Sequence, residues 1–568
     1  MIDGNPTTNR FRTLIFNRRS IGALIILLAA IVVVLPIFIQ GFPKGSDIGF
    51  HFRWNYYFAE ELRQGNLYPR WLSGGNRGYG SPVTLYYPPL QFYVTAAIDF
   101  LVHDTLRAIT LACLLATALC GLTMYLFSRT ILSRTLSLAA SVLYMWAPYH
   151  LVDLYRGNSL SQYWSAVWIP LVLWTVQRIV VRSEWRAVAY LALSYGLLCL
   201  THVQLAFATT LIIPIYVVAL SRNTRNMIRV GTGLMIGLGI SAVFMCSVLF
   251  ERQYVTLDEG LKHKYHECFL FEHLGQLRSI NLLSRADYEG LEGFLVEIDL
   301  ATVGLTLLWA LSSVILWNAR KDSGPKRGAL LVAIWSVAAS SLFMTTRAST
   351  PIWRLIPQLE YMQCPDRWLV VSVCGTCLLV AAAAYAVIRS HNHRILKGAL
   401  LTVAVTLNLV IGAHITTQRT ANPERLWNRV SQSKEPLMHT PIWWDREWQD
   451  EFEQSSVVVR SGDLAITAVN DTGLRQTFNL TSGTESVVKF RTLYFPGWIA
   501  RLDGNLVPIA PCEEGHIQLS IPPGEHTLTL SFEDTGPRTA GKIISALSLI
   551  ASFAVVYLTR RRMRPTAS

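Results

Sequence analysis

Apolar stretches long enough to cross a bilayer recur along almost the whole chain. They lie at roughly 21–40, 107–128, 134–150, 160–178, 186–201, 204–220, 228–250, 299–318, 328–344, 367–388, 397–415 and 540–559. Backbone groups inside a bilayer have no water to bond, so segments of this kind must close their hydrogen bonds as helices. The expected fold class is an α-helical polytopic membrane protein with about twelve transmembrane helices. One further stretch, 82–103, opens on Tyr86-Tyr87-Pro88-Pro89 and contains Asp99. It reads as a juxtamembrane segment that dips into the interface.

Charge fixes the expected orientation. The formal net charge is +13, but the basic residues sit in short runs between apolar stretches and not beside stacking aromatics. That distribution argues for membrane topology and against a nucleic-acid partner. Arg129 and Arg134; Arg178, Arg182 and Arg186; Arg222, Arg225 and Arg229; Arg320, Lys321, Lys326 and Arg327; Arg389, Arg394 and Lys397; and Arg560, Arg561, Arg562 and Arg564 all fall on one side if 82–103 does not cross. Both termini are then cytoplasmic. Arg53, Arg63, Arg70 and Arg77, in the first outer loop, run against this pattern. The N-terminal apolar run has no small-residue cleavage site after it and reads as a first membrane helix.

The outer face then receives loop 41–106, the short loop at Asp153–Ser159, the turn at Thr201-His202, loops 251–298 and 345–366, and the region 417–539. The organisation expected is a membrane domain over 1–416, an irregular segment over 417–454, a β domain over 455–535 and a last membrane helix over 540–559. The β domain rests on alternating runs at Ser456–Val459, Leu464–Val469, Val487–Arg491, His516–Ile521 and Thr527–Phe532. Turn signals at Asn470-Asp471, Asp503-Gly504 and Pro522-Pro523-Gly524 separate them, which suggests a small extracytoplasmic antiparallel β-sandwich before the last helix.

Of the nine cysteines, Cys374 and Cys377 form a C-x-x-C inside an apolar segment, where two small packing residues are the simpler reading. Cys268, Cys364 and Cys512, outside the spans, have no metal spacing. His263, His266, Glu267 and His273 cluster in one loop but match no standard metal motif. No Walker loop, dinucleotide fingerprint or Ser-x-x-Lys pair occurs. The spans are nearly free of charge, which weakens an ion-coupled transporter.

The first outer loop carries the most information. Phe50, Trp54, Tyr57, Phe58 and Leu62 make one apolar helical stripe, while Asp47 and His51, four apart, share another face near the helix start. Asp47 reads either as a helix cap or as a catalytic carboxylate. Arg156 reads as an interfacial anchor or a phosphate contact. His202 reads as a hydrogen-bonding helix end or a ligand, and Glu251 and Arg252 as a helix terminus.

The order of several stretches carries a resemblance: "DIGFHFRWNYYFAEELRQGNLYPRW", "YYPPLQFYV", "VDLYRGNSLSQYW", "LTHVQLAF", "IPQLEYMQCPDRWLV", "YFPGWIARLDGNLVPI" and "LSIPPGEHTLTLSF". Together they resemble bacterial membrane proteins labelled 6-pyruvoyl-tetrahydropterin synthase-related, neighbours of the YfhO-like proteins. Both groups look like members of the GT-C superfamily of membrane glycosyltransferases. The pterin label is inherited naming, and no residue here suggests pterin chemistry. The resemblance implies a sugar donor on a polyprenyl phosphate, a glycan or lipid acceptor, and a place in the bacterial inner membrane. It implies that Asp47 is a general base, with His51 beside it, or helps to hold a divalent metal such as Mg or Mn. It implies that Arg156 and Arg367, with His202 and Gln363, meet the lipid phosphate. An acidic residue expected about one helical turn after the Arg-Gly pair is replaced here by the stretch Asn158-Ser159-Leu160-Ser161-Gln162. The charge partner for Arg156, or the metal contribution, that the resemblance would assign to that acid is therefore absent from that position. Two other readings stand beside the enzyme: a non-catalytic scaffold for envelope polysaccharide assembly, and a transporter or flippase.

Overall fold

The computed structural model describes residues 18–256, 269–270, 291–320, 324–390, 393–417, 420–432, 436–447, 455–471 and 473–561. The loop residues His263, His266, Glu267, Cys268 and His273 lie outside them. Among the described residues, nine helices are long and apolar enough to cross a membrane, and ten if the bent pair Thr224–Ile240 and Ala242–Phe250 is one span.

Three expected spans differ in form. The segment 134–150 is interrupted at Trp146-Ala147: the helix Arg134–Met145 ends there and Pro148 starts a short helix, Pro148–Val152. Proline has no N–H to continue the first helix, but its fixed φ suits the first turn of the next. Arg186–Thr201 is a helix of 16 residues. The stretch 228–250 bends by 76° at Ser241. The groups freed at that bend find a partner on the last helix, Gly536–Arg561, where the Ser545 hydroxyl accepts from Val243 N–H at 2.8 Å and donates to Ile240 C=O at 2.9 Å. A bend in a membrane helix is tolerated when a neighbour satisfies its backbone in this way.

Leu90–Val102 has 13 residues, about 20 Å of helix against a hydrocarbon core of about 30 Å. Its Asp99 is buried, paired with Arg63 and accepting from the Thr105 hydroxyl at 3.2 Å. That length and that anchoring fit a segment held at the membrane edge. Charge does enter one span: the helix Leu291–Asn318 begins eight residues before the apolar stretch and brings Glu297 and Asp299, both buried, into the bundle. The expectation of nearly charge-free spans is corrected by this helix. The apolar stretch read from the sequence begins on Asp299, whereas the helix runs on past Glu297, whose charge is met by Arg156.

The β domain consists of β1 (Val457–Ser461), β2 (Leu464–Asp471), β3 (Arg475–Ser482), β4 (Ser486–Leu493), β5 (Trp498–Leu502), β6 (Asn505–Val507), β7 (Ala510–Pro511), β8 (His516–Ile521) and β9 (Gly524–Phe532). One antiparallel sheet has the order β1-β4-β8-β7 and the other β2-β3-β9-β5-β6. The Asp503-Gly504 turn is as expected: both residues have positive φ, 52° and 83°, which suits a tight two-residue hairpin between β5 and β6. Asn470 and Asp471 are not a turn; they continue β2 and pair with Thr477 and Gln476. The core between the sheets takes in Trp71, Tyr79 and Leu85 from the first loop. Trp71 lies between Phe495, Trp498 and Phe532, with ring centroids at 5.5–5.9 Å.

Candidate functional site

The site is built where the first loop docks on the turn after Val152. Ser46 N–H and Asp47 N–H donate to the carbonyls of Arg156 and Gly157, each at 3.0 Å. The approach is close enough to require glycine at 45, since a Cβ there would stand 2.4 Å from Arg156 O and 2.1 Å from Asn158 Oδ1. Asp47 thus precedes the helix Ile48–Arg63 with its backbone held on both sides. It occupies the N-cap position, but its side chain makes no capping hydrogen bond. Instead its oxygens accept from the Ser46 hydroxyl at 2.9 Å and from Ser159 at 3.5 Å. Burial raises the Asp47 carboxyl above its ordinary range, against the pull of the Ser46 hydroxyl, the Arg367 guanidinium and Ser159.

His51 lies one turn on, 1% exposed. Its Nε2 is 3.4 Å from the Tyr87 hydroxyl, and its Nδ1 is buried without a partner. Burial holds the imidazole neutral, with its pKa lowered to about 3. Trp54 and Tyr87 pack around it, and Trp54, Tyr57 and Phe58 form the buried stripe expected of this helix.

Arg367 enters from the other side of the site, on the turn Pro365–Trp368 that starts the helix Leu369–Arg389. Its Nη2 donates to Gln363 Oε1 at 2.8 Å, while Nη1 is buried and unpartnered. Gln363 holds φ 65° and ψ −61°, a conformation costly for any residue but glycine. His202 breaks the backbone between the helices Arg186–Thr201 and Val203–Leu220, and its Nδ1 accepts from Leu205 N–H at 3.2 Å. A backbone N–H can only donate, so the ring proton of neutral His202 sits on Nε2. Burial, then the charge of Arg367, keeps this imidazole neutral.

The sequence candidates therefore divide into two groups. Asp47, His51, His202, Gln363 and Arg367 are brought together. Arg156 contributes its carbonyl to the Asp47 segment, but its guanidinium pairs with Glu297. That acid, about 140 residues away in the chain, is the partner of Arg156 in place of the acid absent after the Arg-Gly pair. Sequence reading missed Ser159, Tyr87, Asp153, Tyr149, Gln162 and Asp366. Asp366 stands next to Arg367 in "CPDRW", and that adjacency was the available signal. Among the described residues no group of three His, Cys, Asp or Glu is arranged to hold a metal. Among the described residues, the groups acting on Asp47 are the Ser46 and Ser159 hydroxyls and the Arg367 guanidinium, which do not make the donor set of a divalent cation.

A family model described as "6-pyruvoyl-tetrahydropterin synthase related domain; membrane protein" matches residues 84–420. A protein of Lactococcus lactis subsp. cremoris, described as uncharacterized, is 23% identical over 238 residues, 40% of this chain and 39% of its own length. The chain thus spans about two fifths of that relative. Among solved structures, the Archaeoglobus fulgidus oligosaccharyltransferase in complex with Zn and sulfate matches at 14% identity and a TM-score of 0.43, over 71% of this chain and 53% of that one. ArnT from Cupriavidus metallidurans bound to undecaprenyl phosphate matches at 14% identity and a TM-score of 0.39, over 72% and 77%. Likeness at these scores carries no functional step.

Proposed function

The chain belongs to the 6-pyruvoyl-tetrahydropterin synthase related family of membrane proteins, and from that premise we propose that it is a membrane glycosyltransferase. It moves a sugar from a polyprenyl-phosphate donor to a glycan or lipid acceptor. The reaction takes place on the β-domain side of a bacterial inner membrane, with both termini on the opposite, cytoplasmic side. The observation that supports this reading is the opposition of one carboxylate, Asp47, and one guanidinium with a free buried donor, Arg367.

The two groups suit the two ends of the transfer. The acceptor hydroxyl gives its proton to Asp47 as its oxygen bonds to the anomeric carbon. The bond from that carbon to the phosphate oxygen breaks, and its electron pair leaves with the polyprenyl phosphate. The departing group gains a negative charge, which Arg367 offsets through Nη1, and the Nε2–H of His202 is a neutral donor on the same side. A carboxyl raised toward the working pH is the better base for this step. The pull of Gln363 on Nη2 fixes the guanidinium plane, a use for its strained backbone.

The test is transfer by the purified full-length chain from a panel of polyprenyl-phosphate sugars to envelope glycan and lipid fractions. The reading expects polyprenyl phosphate to be released in step with sugar transferred from at least one donor. Absence of transfer and release from every donor, with folded protein, overturns it.

A further inference from the structure

Two acids beside Arg367 have no part in that transfer. Asp153 opens the turn Asp153–Gly157 and Asp366 precedes Arg367; they are 3% and 6% exposed. Two neutral side chains join them. Gln162 Nε2 donates to Asp153 Oδ1 at 2.7 Å and to the Tyr149 hydroxyl oxygen at 3.0 Å. The Tyr149 proton is then free for Asp366 Oδ2, at 2.9 Å. An amide nitrogen only donates, so Gln162 sets the direction of the whole relay. Each acid keeps one buried oxygen without a partner, Asp153 Oδ2 and Asp366 Oδ1.

The charges around the pair do not balance. Arg367 is the cation acting on both acids, and it also faces Asp47. Tyr149 faces both acids from Pro148–Val152, where His150 also lies. The helices packed on Pro148–Val152 bring Glu297, Asp299 and His414, and Arg156 is already committed to Glu297. A phosphate docking on Arg367 therefore adds negative charge to a buried site already rich in acids. Two buried carboxyls this close do not both ionise at low cost.

We propose that Asp153 and Asp366 form a proton-binding pair that makes capture of an anionic phosphate on Arg367 proton-linked. The pair already holds one proton; as the phosphate arrives, the carboxylate still ionised takes up a second from bulk water, and no bond to the phosphate forms or breaks. Burial raises the Asp153 carboxyl well above its ordinary range, the charge of Asp366 adds to this, and Gln162 and Arg367 oppose it. The identity of the anion, a polyprenyl phosphate, rests on the function proposed above.

The test is binding of a polyprenyl phosphosugar to the full-length Asp47→Asn protein, in which neither turnover nor the Asp47 proton interferes. The diester carries one fixed charge, so any pH slope belongs to the protein. Inorganic phosphate is run in parallel to separate headgroup from lipid. Affinity for the phosphosugar is expected to rise up to about tenfold per pH unit as pH falls, for an uptake of one proton. Calorimetry in buffers of different ionisation enthalpy should count that proton without a further mutation. Asp153→Asn and Asp366→Asn should each bind but flatten the slope. Binding with no slope and no proton uptake, or a slope that survives both substitutions, overturns this inference and leaves the glycosyltransferase reading intact. Proton uptake on binding inorganic phosphate, beyond the change in its own ionisation and lost in Asp153→Asn and Asp366→Asn, shows that the headgroup suffices and supports the pair. Failure to bind the phosphosugar at any pH overturns both.

Discussion

Arg538 and Glu251 form an ion pair that neither solvent nor lipid reaches: Arg538 Nε donates to Glu251 Oε2 at 2.9 Å, with side chains 1% and 2% exposed. The remaining polar atoms are also used. Arg538 Nη2 donates to Pro496 C=O at 2.8 Å, Thr535 donates to Glu251 Oε1 at 2.6 Å, and Tyr86 donates to the Glu251 carbonyl at 2.8 Å. The pair ties the end of Ala242–Phe250, the Tyr86-Tyr87-Pro88-Pro89 segment and the root of the last helix to the β domain. Removing one partner of such a pair strands a buried charge, which commonly costs about 3–5 kcal/mol. Glu251→Gln and Arg538→Met should each lower the unfolding temperature in detergent and the amount in membranes. The double substitution Glu251→Met/Arg538→Met should recover part of the loss, and a double variant as weak as the sum of the singles would show that the pair is not the source.

Trp71 gives the β domain a core residue from outside its own sequence. Trp71→Ala should cost about 3–5 kcal/mol, read as a lower unfolding temperature and as protease sensitivity that appears in both the first loop and the β domain. Cleavage confined to the first loop would contradict a shared core.

His51 predicts a pH dependence of stability. Its folded pKa is lowered to about 3, so the unfolded chain binds the extra proton once pH falls below the ordinary imidazole value of about 6.5. Stability is full above that value and is lost as pH falls below it. His51→Gln should remove up to about 1.4 kcal/mol per pH unit of that acid loss. Denaturant unfolding between about pH 4 and pH 8 reads the slope, and an unchanged slope would show that His51 is not buried in its neutral form.

The proposed orientation is open to labelling. Asn505 is exposed in the β5–β6 hairpin and Thr224 is exposed at the start of its helix. In a cysteine-free background, an impermeant thiol reagent outside intact cells should label Asn505→Cys and spare Thr224→Cys. The reverse pattern would invert the topology.

Most of the spanning helices are legible in the sequence because spanning length and apolarity are local properties. The stripe Trp54, Tyr57 and Phe58, the short helix Leu90–Val102 and the Asp503-Gly504 hairpin all follow from near neighbours in the chain. What the sequence hides is long-range pairing. β3 is missed because Phe478 and Leu480 are the only apolar residues among its eight, and β5 because apolar Ile499 fills an outer position of a five-residue strand whose burial does alternate. Glu297 is read as lying outside a span because nothing local announces Arg156 as its partner. The site shows the same division. Asp47 and Arg367 stand out as motif residues, whereas the relay through Tyr149, Gln162, Asp153 and Asp366 joins segments more than 200 residues apart.

The role of Asp47 is the central claim, and Asp47→Asn tests it most directly. The side chain makes no capping bond, so the isosteric amide should leave the unfolding temperature nearly unchanged while removing the proton acceptor. The measurement is the single-turnover rate of sugar transfer by purified wild type and Asp47→Asn at equal folded concentration. The account predicts a fall of about a hundred- to ten-thousand-fold, with donor binding retained. A rate within about twofold of wild type would contradict it, because no general base contributes so little.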